Sequence, residues 1–113
     1  MMKMKLPNAD NAIIDAQKIA GYVLNAEHRR GGSKASLLLA FGYDPANWQR
    51  LADDLRQYHL STEVERSRAT AYGTRYEIRA ALQTPSGRLL TLRSIWQIDS
   101  GATVPRLITL YPD

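Results

Sequence analysis

The sequence predicts an α+β fold, with N-terminal helices packed on one face of a C-terminal antiparallel meander of three to four strands. Two observations carry the prediction. Apolar residues recur at helical spacing in the first half of the chain and alternate in the second. Turn signals then cut the alternating half into pieces of strand length, at Thr84-Pro85-Ser86-Gly87 and at Asp99-Ser100-Gly101. The 113 residues are close to one domain's worth and are read as a single domain, 1–113.

The elements follow in order. Asp15 caps a first helix that runs to about residue 25, because an aspartate side chain accepts from the free N–H groups of a first turn. Ile19 and Val23 share a face of that helix, with Ala16 and Ala20 beside them. The stretch Glu27-His28-Arg29-Arg30-Gly31-Gly32 reads as a loop, since paired glycines weaken a helix. Ser33 caps a short second helix over 34–41, and Gly42 takes its left-handed C′ position. Asp44-Pro45 starts a third helix, carrying Trp48, Leu51, Ala52 and Leu55 on its inner face and ending at Tyr58 and His59.

In the second half Tyr76, Ile78, Ala80 and Leu82 alternate with Arg75, Glu77, Arg79 and Ala81. Leu90, Leu92, Trp96 and Ile98 alternate with Thr91, Arg93 and Gln97. A third strand spans 104–111, and Pro105 near its start marks an edge. Residues 63–70, poor in apolar side chains, offer a fourth. Helices on the apolar face leave the other face with Arg75, Glu77, Arg79, Thr91, Arg93 and Gln97, joined by either Arg106 or Thr109.

Composition narrows the function. There is no cysteine, which excludes a disulfide scaffold, a thiolate zinc site, a thiol nucleophile and a cysteine-ligated cluster, and fits a reducing compartment. Fifteen Lys and Arg against eleven Asp and Glu give +4, mildly basic and compatible with a polyanionic partner. The lysines all lie at or before Lys34; from Ser61 onward every cation is an arginine, the better fork for phosphate or carboxylate. No apolar run reaches the roughly 18–20 residues of a membrane span, and the N-terminus lacks the apolar core of a secretory signal. A cytoplasmic protein with no membrane partner is expected.

His28 is one of two histidines and sits beside Arg29, Arg30 and Lys34, whose charge favours the neutral imidazole that can act as a base. The competing role is a loop histidine that merely caps a helix end. His59 fits a helix C-terminus, where an imidazolium is favoured. Nothing has metal-ligand, Walker or nucleophile-elbow spacing, so no metal and no cofactor are expected. In Tyr72-Gly73-x-Arg75-Tyr76 and Arg93-Ser94-x-Trp96 an arginine neighbours a core aromatic. The arginines are the functional candidates, and ion pairs to Glu77 or Glu65 are their competing structural role.

These motifs, with Lys5-Leu6-Pro7-Asn8-Ala9-Asp10, Leu24-Asn25-x-x-His28-x-x-Gly31-x-x-Lys34-Ala35 and Pro105-Arg106-Leu107, resemble a small family of uncharacterised bacterial domains. That family occurs as stand-alone chains and at the C-terminus of polymorphic or contact-dependent inhibition toxins. Its layout is similar to the metal-independent ribonucleases that include barnase, EndoU and RelE-like toxins. The sequence departs from the pattern at Arg29, where proline is usual, and at Ser94, where threonine is common.

The resemblance implies a toxin-type endoribonuclease with RNA as substrate and a small cognate immunity or antitoxin-like protein as partner. His28, Lys34, Arg75, Arg93 and Ser94 would form the catalytic set. Arg29, Arg30, Arg79, Arg106 and Thr109 would bind. The alternatives are a non-catalytic module for an acidic protein or nucleic acid, an inactive toxin-like copy, and a structural accessory domain whose open face is only solvated.

Overall fold

The computed structural model describes residues 4–25 and 32–113, and of residues 32–34 only the backbone. Three helical segments precede a four-stranded antiparallel sheet, as the change of period predicts. The strands are β1 (Arg66–Thr70), β2 (Gly73–Gln83), β3 (Leu89–Asp99) and β4 (Arg106–Pro112), in spatial order β1-β2-β3-β4. The weak stretch 63–70 therefore does supply a strand, and β4 is an edge, as Pro105 requires. No helix among the described residues is long and apolar enough to cross a membrane.

Two of the three helical segments start where their caps predict. Asp15 accepts from the Gln17 amide at 2.7 Å and opens α1 (Ala16–Lys18), which widens into a π-helical segment, Ile19–Val23. Asp44 accepts from the Ala46 amide at 2.9 Å, ahead of a 3-10 turn (Pro45–Asn47) and the helix α3 (Trp48–Asp54). A second π-helical segment, Leu55–His59, continues α3. The second helix, α2 (Gly32–Ala40), begins earlier than expected. Ser33 thus lies within its first turn and is not the cap. The helix stops as predicted: Gly42 has φ 101°, its amide bonds Leu39 and the Tyr43 amide bonds Leu38, a Schellman pair.

Residues 4–13 were left unassigned by the periodicity, and the structure makes them a strap. Lys5 bridges Glu63 beside β1, and Ile13 bridges Arg106 at the start of β4. Between these, Leu6 and Ala12 enter the core. The core is one cluster: Ile19, Val23, Leu38, Leu51 and Leu55 from the helices meet Ile78, Leu82, Leu92, Trp96, Leu107 and Leu110 from the sheet. The members from β2 and β3 are alternate positions the sequence assigns inward, while Leu107 and Leu110, three residues apart, both enter the core, which strict alternation does not allow.

One polar joint crosses this interface. His59 is completely buried, with Nε2 3.1 Å from the Ala80 carbonyl and Nδ1 2.7 Å from Ser94 Oγ. A carbonyl only accepts, so Nε2 carries the proton and Nδ1 accepts from the Ser94 hydroxyl. Ser94 Oγ in turn accepts from Trp96 Nε1 at 2.8 Å. The chain is satisfied only with a neutral ring. Burial pushes the imidazole down to about 4, with the Ala80 bond opposing the shift. The expected imidazolium at a helix terminus is therefore corrected: solvent is absent and no anion faces the ring. A second joint ties Tyr43 to Asp54 at 2.6 Å and Arg50 to Asp54 at 3.0 Å, with Arg50 reaching on to the Gln83 carbonyl. Burial and the Asp54 carboxylate push the Tyr43 hydroxyl well up.

Two predictions follow from the packing. The unfolded chain protonates His59 near pH 6.5 and the folded chain only near 4, so the unfolded state binds the extra proton between them. The stabilisation is complete above pH 6.5 and is lost as the pH falls toward 4, about 3 kcal/mol in all. Urea melts from pH 7 to 4 should show this extra loss in the wild type and not in His59→Gln; parallel profiles would refute it. Gly73 has φ 146°, and a Cβ there would overlap the Ile98 carbonyl oxygen. Gly73→Ala should cost about 3 kcal/mol in the same assay.

Candidate functional site

The face of the sheet turned away from the helices is built by register. Arg68, Arg75, Gln97 and Arg106 stand in one row across the four strands. Arg66, Glu77, Ile95 and Thr109 form the next row, and Arg79, Arg93 and Tyr111 a third. The sequence allows only one of Arg106 and Thr109 on this face, because a regular strand alternates. A bulge in β4 changes that: Trp96 pairs with Leu107 while Ile95 pairs with Thr109, so Ile108 is the extra residue and both candidates face outward.

Ser94 is not on this face. It points the other way from Arg93, as adjacent strand residues must, and is wholly buried against His59 and Trp96. It has no path to a phosphate held by the arginines. His28, Arg29 and Arg30 lie outside the described residues, as does the loop assigned to them. Lys34 lies on α2, its side chain outside the description.

The guanidinium groups differ in what they hold. Arg93 is engaged on all sides: Nε reaches Asp113 at 3.0 Å, Nη1 reaches Glu77 at 3.2 Å and Nη2 reaches Glu65 at 3.1 Å. The bonds to Glu65, foremost, and to Asp113 raise its already high pKa. Arg79 shares Asp113 at 3.0 Å. Arg106 grips Asp99 with two bonds, 2.8 and 3.2 Å, which hold the carboxyl below its usual range. The ion-pair role weighed for these arginines is thus the one the structure gives Arg93.

Arg75 differs. Its Nη2 donates to Gln97 Oε1 at 3.1 Å, a neutral acceptor, and its Nε is buried without a partner. The Gln97 amide is oriented by its own bond to Asp99 at 2.6 Å. Arg68 stands directly opposite Arg75, a like-charge cross-strand pair that costs stability unless an anion offsets it. Among the described residues no carboxylate lies within ion-pair distance of Arg66, Arg68 or Arg75. Thr109 Oγ1 is also buried without a partner. Sequence reasoning passed over Arg66 and Arg68. Their spacing of two in a stretch without apolar alternation was the available signal.

The arrangement defines a class: an α+β domain with helices on one sheet face and arginines on the other, unevenly neutralised. The chain belongs to the DUF6883 family, a domain of unknown function, which matches residues 5–113. No curated protein matches it. Among solved structures it is similar to a chain of a contact-dependent growth inhibition toxin–immunity protein complex from Klebsiella pneumoniae 342. The likeness has 18% identity and a TM-score of 0.69, covering 89% of this chain and 99% of that one. At that identity it establishes a common fold.

Arg93→Ala should leave Glu65 and Glu77 without a cation, and Asp113 with Arg79 alone, and destabilise the fold by about 2 kcal/mol. Arg79→Ala should cost no more than about 0.5 kcal/mol, since Asp113 keeps Arg93 and the pair is exposed. Urea midpoints of the two variants check this; equal losses would contradict it.

Proposed function

We propose that the chain is a metal-independent endoribonuclease of bacterial toxin type, holding RNA phosphates on the uncovered arginine face. The observation that carries this reading is Arg75, charged, fixed by Gln97 and without a counter-charge. A guanidinium kept in that state favours an oxyanion. The shared fold with a chain from a toxin–immunity complex supports a toxin-like or immunity-like role, of which the arginine face favours the first.

In the proposed reaction His28 takes the 2′-hydroxyl proton and the freed oxygen attacks the adjacent phosphorus. The bond to the 5′-oxygen then breaks, that oxygen takes a proton from solvent, and the ends are a 2′,3′-cyclic phosphate and a 5′-hydroxyl. Lys34 and Arg75 stabilise the charge of the pentavalent intermediate. Arg29 and Arg30 add attraction for the strand. Arg93 serves by drawing Glu65, Glu77 and Asp113 together, which leaves Arg75 uncompensated. Ser94, buried behind the sheet, has no part.

A second reading has its own support. The carboxylates of the described face are all held by arginine, so that part of the face offers charge without a free acid or base. That suits a binding module for nucleic acid or for an acidic protein partner of immunity type.

The test is incubation of purified protein with total RNA, with and without EDTA. EDTA-resistant cleavage, reduced at least about 100-fold in a folded His28→Ala variant, is the expected result. A folded wild type that never cleaves RNA would move the assignment to the binding module.

A further inference from the structure

The open face is not uniformly basic. Toward Arg79 and Arg93, two guanidinium groups meet three carboxylates, Glu65, Glu77 and Asp113. Arg106 is matched by Asp99. On this face the uncompensated arginines are those of the β1–β2 hairpin, where Arg66, Arg68 and Arg75 have no acidic partner among the described residues. At the tip of the same hairpin Tyr72 is 76% exposed, the most exposed large hydrophobic residue described. Its backbone is held on both sides, its amide by Thr70 Oγ1 at 3.2 Å and its carbonyl by the Ser100 amide at 2.8 Å. A solvent-facing ring on a held backbone, at the tip of a hairpin that carries three arginines without an acidic partner among the described residues, needs an explanation that packing does not supply.

From this we infer that the β1–β2 hairpin is the subsite for unpaired RNA, with Arg66, Arg68 and Arg75 on its phosphates and Tyr72 stacked on a base. The inference rests on the RNA reading above and deepens it. Arg66 and Arg68 are two residues apart on an extended strand, about 7 Å, which suits successive phosphates of an extended nucleic acid. Arg75 lies across from Arg68 and completes the track with a guanidinium that is already desolvated at Nε. Stacking requires a base free of its own duplex, so the subsite selects single strands. The hairpin is exposed on its outer edge, leaving room for the strand.

The experiment uses a fluorescein-labelled 2′-O-methyl RNA dodecamer, which lacks the 2′-hydroxyl and resists the proposed cleavage. Binding is read by anisotropy across a salt series. Arg68→Ala and Arg75→Gln should each weaken binding about 10-fold and flatten the log–log salt slope by about 0.7. Tyr72→Ala should weaken it about 10-fold with the slope unchanged. Arg88→Ala removes the same charge at the far β2–β3 turn and should change affinity less than twofold. Arg66 and Arg68 are exposed, so Arg66→Ala and Arg68→Ala remain informative if Arg75→Gln unfolds. Equal losses in Arg88→Ala and Arg68→Ala, duplex bound as well as single strand, or binding of poly-glutamate in place of RNA would each overturn the subsite. A protein that binds the dodecamer through this hairpin and never cleaves unmodified RNA would lose the catalytic reading alone.

Discussion

The hydrogen-bonded line from Ala80 through His59 and Ser94 to Trp96 sets which way the sheet faces. Ser94 has a short polar side chain among apolar neighbours, and only the buried imidazole makes its inward position tolerable. Turning Ser94 inward turns Arg93, Ile95 and Gln97 outward, since a strand offers no other choice. A slip of one residue would bury Arg93 and expose Trp96. The joint therefore fixes the helix layer to the sheet and the arginines to the opposite side in one arrangement.

With the arginines outside, their chemistry is decided by neighbours. Arg93 lies near the middle of the sheet and collects carboxylates from beside β1, from β2 and from residue 113. Each carboxylate it holds is one that does not neutralise the hairpin. Asp99 is similarly taken by Arg106. The face thus sorts its charges into a compensated region and an uncompensated one. Net charge conceals this, because a mild excess over the whole chain does not say which arginines of one sheet face keep their charge uncompensated.

How much of this the sequence carries depends on the range of the forces involved. The Asp15 and Asp44 caps, the Gly42 stop and the alternation of β2 and β3 are local, and all are legible in adjacent residues. The bulge at Ile108 is a property of two strands together, so one strand's pattern allows Arg106 or Thr109 but not both. Glu65 and Glu77 are legible as partners of the sheet arginines once the strands are paired, but the bond of Arg93 to Asp113 joins residues 20 positions apart, beyond any spacing rule. Arg66 and Arg68 escaped because a strand with no buried face gives no apolar rhythm. His59 was misread for a related reason. Its helix position is visible in the sequence, and the sheet that buries it, with the serine and carbonyl it bonds, comes from two distant strands.

The strap formed by residues 4–13 bears on the order in which the domain assembles. Its first residues pair beside β1, and its last residue pairs with the start of β4, so it spans the sheet from one edge to the other. A ribosome releases the strap early and its final partners, Pro105 and Leu107, nearly a hundred residues later. Local helices and the β2–β3 hairpin have short loops to close and can form at once; the strap cannot. The far end of the strap is consequently the last contact to close, and a nascent chain stopped before β4 can clasp the strap beside β1 but leaves Ile13 with nothing to hold.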